Sequence, residues 1–257
     1  MMIFDTHAHY DDEQFDEDRE ELLNSMQTHG VEAVTNIGSS LAASRRTIGL
    51  TEKYPFVYGA IGVHPNEVGE LEEDGIAWLK EMCALPKIVA VGEIGIDYYW
   101  DEPGHDIQKK WFERQLELAR EVKLPVVIHS RDAAKDTLDI MKAEKAGEIG
   151  GVIHCFSYSL EMAKEYLNMG FYLGIGGVLT FNNAKQLKEV VGYMPLERIV
   201  LETDCPYLSP VPNRGKRNSS LNLPYVVEEI SRIKQVPAEQ IIEITNRNAK
   251  QMYRIEK

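Results

Sequence analysis

Ile3-Phe4-Asp5-Thr6-His7-Ala8-His9 carries two imidazoles, two residues apart, at the end of a short apolar stretch. In an extended strand, residues i and i+2 point to the same face, so His7 and His9 aim at one spot. Alone, such a pair reads better as two half-exposed histidines at a strand end than as a metal site. It gains weight because His64, Glu93, His129, His154 and Asp204 also close apolar runs. Five of the seven histidines therefore share one structural address, while His29 and His105 fall at a helix end and in a loop and read as surface residues. Imidazoles and carboxylates crowded at one place are costly unless cations compensate them. His7, His9, His129, His154, Glu93 and Asp204 exceed the four ligands of one tetrahedral zinc. They suit two divalent ions sharing a carboxylate, and Glu93, central in strand order, is the natural bridge. Nitrogen and oxygen donors without thiolate fit Zn²⁺ or Mn²⁺, and Mg²⁺ if it keeps several waters. Paired ions of this kind activate water and stabilise a leaving oxygen, which is hydrolysis and not redox chemistry.

The elements that must position these residues alternate along the chain. Strands are expected at Met2–His7, Ala33–Ile37, Phe56–Val63, Ile88–Glu93 (continuing to Asp97), Pro125–His129, Gly151–His154, Phe171–Ile175 and Ile199–Asp204. Amphipathic stretches separate them, among them 106–122, where Ile107, Trp111, Leu116, Ala119 and Val122 recur at the spacing of one buried face. Two further helices, 224–234 and 238–253, follow the last strand. Eight strand–helix units imply an α/β (β/α)₈ TIM barrel, a single domain over residues 1–257. An open doubly wound sheet is the alternative, but its Gly-rich phosphate loop after the first strand is missing. A barrel gathers strand C-termini at one rim, so the seven residues would meet there.

Of 257 residues, 44% are apolar and 27% charged, as in an ordinary globular protein. No apolar run reaches the ~20 residues of a membrane span, and the N-terminus does not resemble a signal peptide. A cytoplasmic protein without membrane association is expected, and no obligate protein partner is evident. The net charge of −13 argues against coating duplex DNA but not against handling a strand end in a small pocket. Cys83, Cys155 and Cys205 form no disulfide framework. Cys155 and Cys205 each directly follow a proposed ligand, and alternation turns them to the opposite face as buried spectators.

The segments Phe4–His9, Gly62-Val63-His64-Pro65, Gly92-Glu93-Ile94-Gly95-Ile96-Asp97-Tyr98, Pro125–Arg131, His154-Cys155-Phe156-Ser157 and Leu201-Glu202-Thr203-Asp204-Cys205-Pro206-Tyr207-Leu208 together resemble the TatD-like metal-dependent deoxyribonucleases, of the amidohydrolase-like barrels. The loop Pro212–Asn218 extends the match. The resemblance implies that His7, His9, Glu93 and Asp204 hold one ion, and that Glu93, His129 and His154 hold the other. His64 looks like that family's additional pocket histidine, near substrate phosphate. Asn218-Ser219-Ser220 departs from the acidic residue and proline that relatives usually carry, which bears on the strand-eight loop and substrate preference.

Arg131, Arg214, Lys216 and Arg217 follow strands five and eight and are expected at the same mouth, where they suit a phosphate clamp, Arg131 and Arg214 foremost. A solvated basic loop explains Lys216 and Arg217 equally well. Tyr98, Tyr99, Trp100 and Tyr207 lie beside the mouth, either to stack a frayed base or as rim packing. The expected activity is phosphodiester hydrolysis at a DNA strand end, with Glu93 and Asp204 as catalytic carboxylates and Asp204 orienting the attacking water and accepting its proton. Rival readings are amide, ester or lactone hydrolysis on the same centre, and a non-catalytic nucleic-acid-binding relative.

Overall fold

Short runs rich in Val and Ile form the strands β1 Ile3–Ala8, β2 Val31–Ile37, β3 Val57–Ile61, β4 Ile88–Asp97, β5 Val126–Arg131, β6 Gly151–Ile153, β7 Tyr172–Ile175 and β8 Ile199–Leu201. The structure is a computed structural model and describes residues 2–100 and 102–255. The strands pair in sequence order, every pair parallel. Closure comes just after β8: the His9 N–H donates to the Cys205 carbonyl (2.8 Å), the Asp204 N–H donates to the His7 carbonyl (2.9 Å), and Ala8 bridges Cys205. The result is a nearly closed (β/α)₈ barrel.

Around it stand α1 Arg19–Ser25, α2 Leu41–Lys53, α3 Glu73–Met82, α4 His105–Val122, α5 Ala134–Ala143, α6 Leu160–Asn168, α7 Lys185–Tyr193, α8 Leu223–Lys234 and α9 Ala238–Met252. The acidic helix α1 is short, with a 3₁₀ turn at each side, and Gly30 in the left-handed region (φ 84°) stops the second of these turns before β2. On α4, Trp111, Leu116 and Ala119 are buried as the periodicity predicts, but Ile107 is exposed. Gln108 turns inward in its place, because β4 runs on to Asp97 and the Asp97 N–H needs the Gln108 Oε1 acceptor (2.9 Å).

One apolar layer lies between strands and helices. A second, with Phe4, Val89, Val127, Val152 and Val200, fills the barrel interior and is closed from below by Ala249, Met252 and Tyr253 of α9 and its end. The rim left open is where β5 and β6 carry this inward parity on to His129 and His154. On β1 and β4 the pairing register slips, between Asp5 and Ala8 and between Val91 and Ile94. Those slips bracket His7 and Glu93, in keeping with the use of irregular strand pairing to re-aim side chains. Gly95 (φ 148°) lies opposite His129, whose carbonyl oxygen would stand 1.9 Å from any Cβ there. No other residue lets β4 and β5 approach so closely at that point.

Candidate metal centre

Five of the seven sequence-predicted side chains, His7, His9, His64, His129 and His154, surround the carboxylate of Glu93, itself the sixth, and the seventh, Asp204, completes the ring beside the His7–His9 pair. His7 Nε2 lies 3.5 Å from Glu93 Oε2 and 3.5 Å from Asp204 Oδ1. His9 Nε2 stands 3.1 Å from His7 Nε2, 3.3 Å from Asp204 Oδ1 and 3.8 Å from Glu93 Oε2. At the other Glu93 oxygen, His129 Nδ1 and His154 Nε2 both lie 2.8 Å from Oε1 and 3.3 Å from each other. Ligands about 2.1 Å from one ion stand roughly 3.4 Å apart in a tetrahedron and about 3.0 Å apart in an octahedron. Both groups of donors have those separations, so the arrangement can hold a divalent cation.

Second contacts set which nitrogen faces inward. His9 Nδ1 is 2.9 Å from the Ile37 carbonyl, so it carries the proton and leaves the Nε2 lone pair to the centre. His64 is turned the other way. Its Nδ1 accepts the Asn66 N–H (3.1 Å), so Nε2, 3.8 Å from Glu93 Oε1, carries a proton. His64, Glu93 and His129 approach one another as a ligand group would, but that proton leaves His64 Nε2 a hydrogen-bond donor.

Electrostatics follow from burial. For His9, desolvation pulls the pKa down, but hydrogen bonding and charge from Asp204, with Glu93 behind, lift it to about 9. Desolvation is likewise outweighed at His154, where Glu93 raises it to about 10. His7 falls to about 4 through burial and the charge of His154, and His64 to about 3 through burial and His129. Burial opposes ionisation of Glu93 and Asp204, yet the surrounding imidazoles hold both below the usual carboxylate range. Protons on His9 and His154 thus balance the two carboxylates, and a divalent cation among the same donors would supply that positive charge instead.

The centre forms the floor of a cavity of about 830 Å³ whose lining includes Arg131, Trp100, Tyr207 and Cys155. Arg131 lies over the Tyr99 ring (3.7 Å) at the cavity edge. Arg214 lies instead over Phe181 (4.0 Å), apart from the lining residues. Arg217 is exposed, held by Asp18 and the Gln14 carbonyl and apart from the cavity lining, which favours the solvated basic loop over a phosphate clamp for this residue. Cys205 is buried as expected, but Cys155 is half-buried and lines the cavity. Its left-handed backbone (φ 45°) ends the strand alternation on which the opposite orientation rested. Asn218 and Ser220, where the chain departs from the family pattern, are anchors: the Asn218 amide donates to the Thr203 and Tyr207 carbonyls, and Ser220 Oγ donates to Asp5 (2.6 Å).

Three carboxylates escaped the sequence reading. Asp5 is fully buried, accepts from Ser220 and Thr203, and is pushed by burial to about 6. Glu202, raised by burial to about 8, takes the Cys155 N–H (2.5 Å) in a space that a Cβ at Gly174 would fill. Asp97 touches His129. All three lie within the quoted motifs, but only strand pairing reveals what they face.

Residues 4–254 match the family model described as TatD related DNase. The chain is 46% identical to the uncharacterized metal-dependent hydrolase YabD of Bacillus subtilis, covering 99% of this chain and 100% of that one. It is 31% identical to the 3'-5' ssDNA/RNA exonuclease TatD of a Rahnella strain, over 93% of this chain and 94% of that one. The crystal structure of YJJV, a TatD homolog from Escherichia coli, superposes with a TM-score of 0.93 at 28% identity, covering 99% and 98% of the two chains.

Proposed function

The chain belongs to the TatD-related DNase family of metal-dependent hydrolases, and from that membership we propose that it cleaves phosphodiester bonds at a DNA strand end. The observation that carries the proposal is the convergence of His7, His9, His129 and His154 on the two oxygens of Glu93, with Asp204 beside His7 and His9, at the floor of a cavity edged by Arg131. His7, His9, Asp204 and Glu93 would hold one divalent ion, and Glu93, His129 and His154 a second. Zn²⁺, Mn²⁺ and Mg²⁺ are the candidates. Two such ions supply Lewis acidity and a lowered pKa for water.

The chain's own side chains account for the rest. Asp204 is ionised and more accessible than Glu93 (side chains 18% and 4% exposed), so it is the carboxylate able to orient an attacking water and take its proton. Its left-handed backbone (φ 56°) is an unfavourable conformation of the kind found where a side chain must be aimed. His64 Nε2–H and the Arg131 guanidinium face the same cavity and can donate to phosphoryl oxygens. The Rahnella relative's activity supports a nucleic-acid substrate.

The test is an assay on end-labelled single-stranded and duplex DNA with each candidate cation and with chelator. Cation-dependent shortening is expected, lost in Glu93→Gln and Asp204→Asn while circular dichroism stays native. Full activity in either variant, or turnover confined to an amide, ester and lactone panel, would overturn the proposal.

A further inference from the structure

His129 is the one proposed ligand with both ring nitrogens engaged by carboxylates: Nδ1 faces Glu93 Oε1 at 2.8 Å and Nε2 faces Asp97 Oδ2 at 3.1 Å. We propose that Asp97, on the far side of the ring from the centre, is a positioning residue that keeps the His129 proton on Nε2 and so leaves Nδ1 free to ligate. The proposal rests on the two-ion reading above and concerns the ion held by Glu93, His129 and His154.

An ionised carboxylate only accepts hydrogen bonds; with Glu93 Oε1 given over to a cation, Asp97 would be the carboxylate left to accept from the ring, and the His129 proton would then sit on Nε2. Asp97 is 2% exposed and cannot swing away. Its Oδ1 accepts the Tyr99 N–H (2.8 Å), its own N–H is held by Gln108 Oε1, and Gln108 Nε2 is tied to the Pro103 carbonyl (2.9 Å). His154 lacks an equivalent support: its Nδ1 has no hydrogen-bond partner, and Glu202 Oε1 stands 3.8 Å away. Of the two proposed ligands at Glu93 Oε1, only His129 therefore has its orientation and tautomer set from behind. Partners of this kind typically alter cation affinity by about tenfold to a hundredfold.

Asp97→Asn and Asp97→Ala separate this role from simple packing. In Asp97→Asn the Tyr99 N–H keeps the amide oxygen, so the amide NH₂ is presented to His129 Nε2. The ring must then accept there and carry its proton on Nδ1, the ligating atom. In Asp97→Ala, water replaces the carboxylate and imposes no tautomer. Chelator-treated full-length protein would be titrated with Mn²⁺ by calorimetry, with bound metal counted after dialysis. We expect two ions in the wild type. Asp97→Asn should weaken one of them about tenfold to a hundredfold and leave the other unchanged, which also reports a folded barrel. Asp97→Ala should lose less than Asp97→Asn. Two ions of unchanged affinity in Asp97→Asn, or a larger loss in Asp97→Ala than in Asp97→Asn, would overturn the assignment while leaving the two-ion reading intact. A wild type that takes up no second ion would overturn that reading, and this proposal with it.

Discussion

Loading the centre with a divalent cation must expel protons, and their number and cost follow from the site. His9, lifted to about 9, and His154, lifted to about 10, are protonated near neutral pH, and both direct Nε2 at the centre. Each must lose its proton before it can ligate. At ~1.36 kcal/mol per pH unit, displacement at about pH 7.5 costs about 2 kcal/mol for His9 and about 3 kcal/mol for His154. The two protons on His9 and His154 make affinity rise at least roughly a hundredfold per pH unit from about pH 7, flattening as pH passes first about 9 and then about 10. The assay is calorimetric titration of chelator-treated protein with Mn²⁺ in buffers of different ionisation enthalpy, where the slope of heat against that enthalpy counts protons. A count of at least two at about pH 7.5 is expected, to which His129 can add, since desolvation there is outweighed by Asp97 and Glu93, which raise it as well. A count near zero, or an affinity unchanged between about pH 7 and 9, would refute the reasoning, because the imidazoles would not then be the groups that exchange protons for cations.

The same two histidines give a stability prediction. Their folded pKa values lie above the ordinary 6.5, so the stability they confer is fully present below that value and is lost as pH rises through about 9 to 10. The thermal midpoint of chelator-treated protein should therefore fall over that window while cation-loaded protein holds its own; parallel curves would count against it. Arg131→Ala should raise KM by roughly tenfold with little change in kcat, as for a residue that binds substrate and transition state alike; an equal fall in kcat and kcat/KM would assign it to the transition state instead. Asp5→Ala leaves the buried Ser220 and Thr203 hydroxyls without their acceptor, which should cost about 3 kcal/mol. At roughly 2–4 °C per kcal/mol for a chain of this size, the melting temperature should drop by about 6–12 °C. An unchanged melting curve would remove Asp5 as the anchor of the strand-eight loop.

What could be read along the chain was whatever depends on local geometry. The two-residue spacing of His7 and His9 is enough to point both at one place, and alternating strands and helices are enough to close a barrel that gathers Glu93, His129 and His154 at one rim. Contacts that depend on pairing between distant strands could not be read. Asp97 meets His129 only because β4 and β5 pair with Gly95 opposite His129. Glu202 lies below His154 only because Gly174 has no side chain to exclude it. Cys155 was misplaced because a positive φ interrupts the period-2 rule on which its orientation rested. Arg214 follows strand eight as expected, yet Phe181 draws its guanidinium away from the cavity lining. Among the described residues no helix is long and apolar enough to cross a membrane.

Anomalous diffraction from crystals soaked in Mn²⁺ or Zn²⁺ tests the central claim most directly. Two peaks are expected, roughly 3.5–4 Å apart, one beside His7, His9 and Asp204 and the other beside His129 and His154, with the Glu93 carboxylate between them. A map with no peak at that carboxylate, or with ions held elsewhere on the chain, would contradict the account.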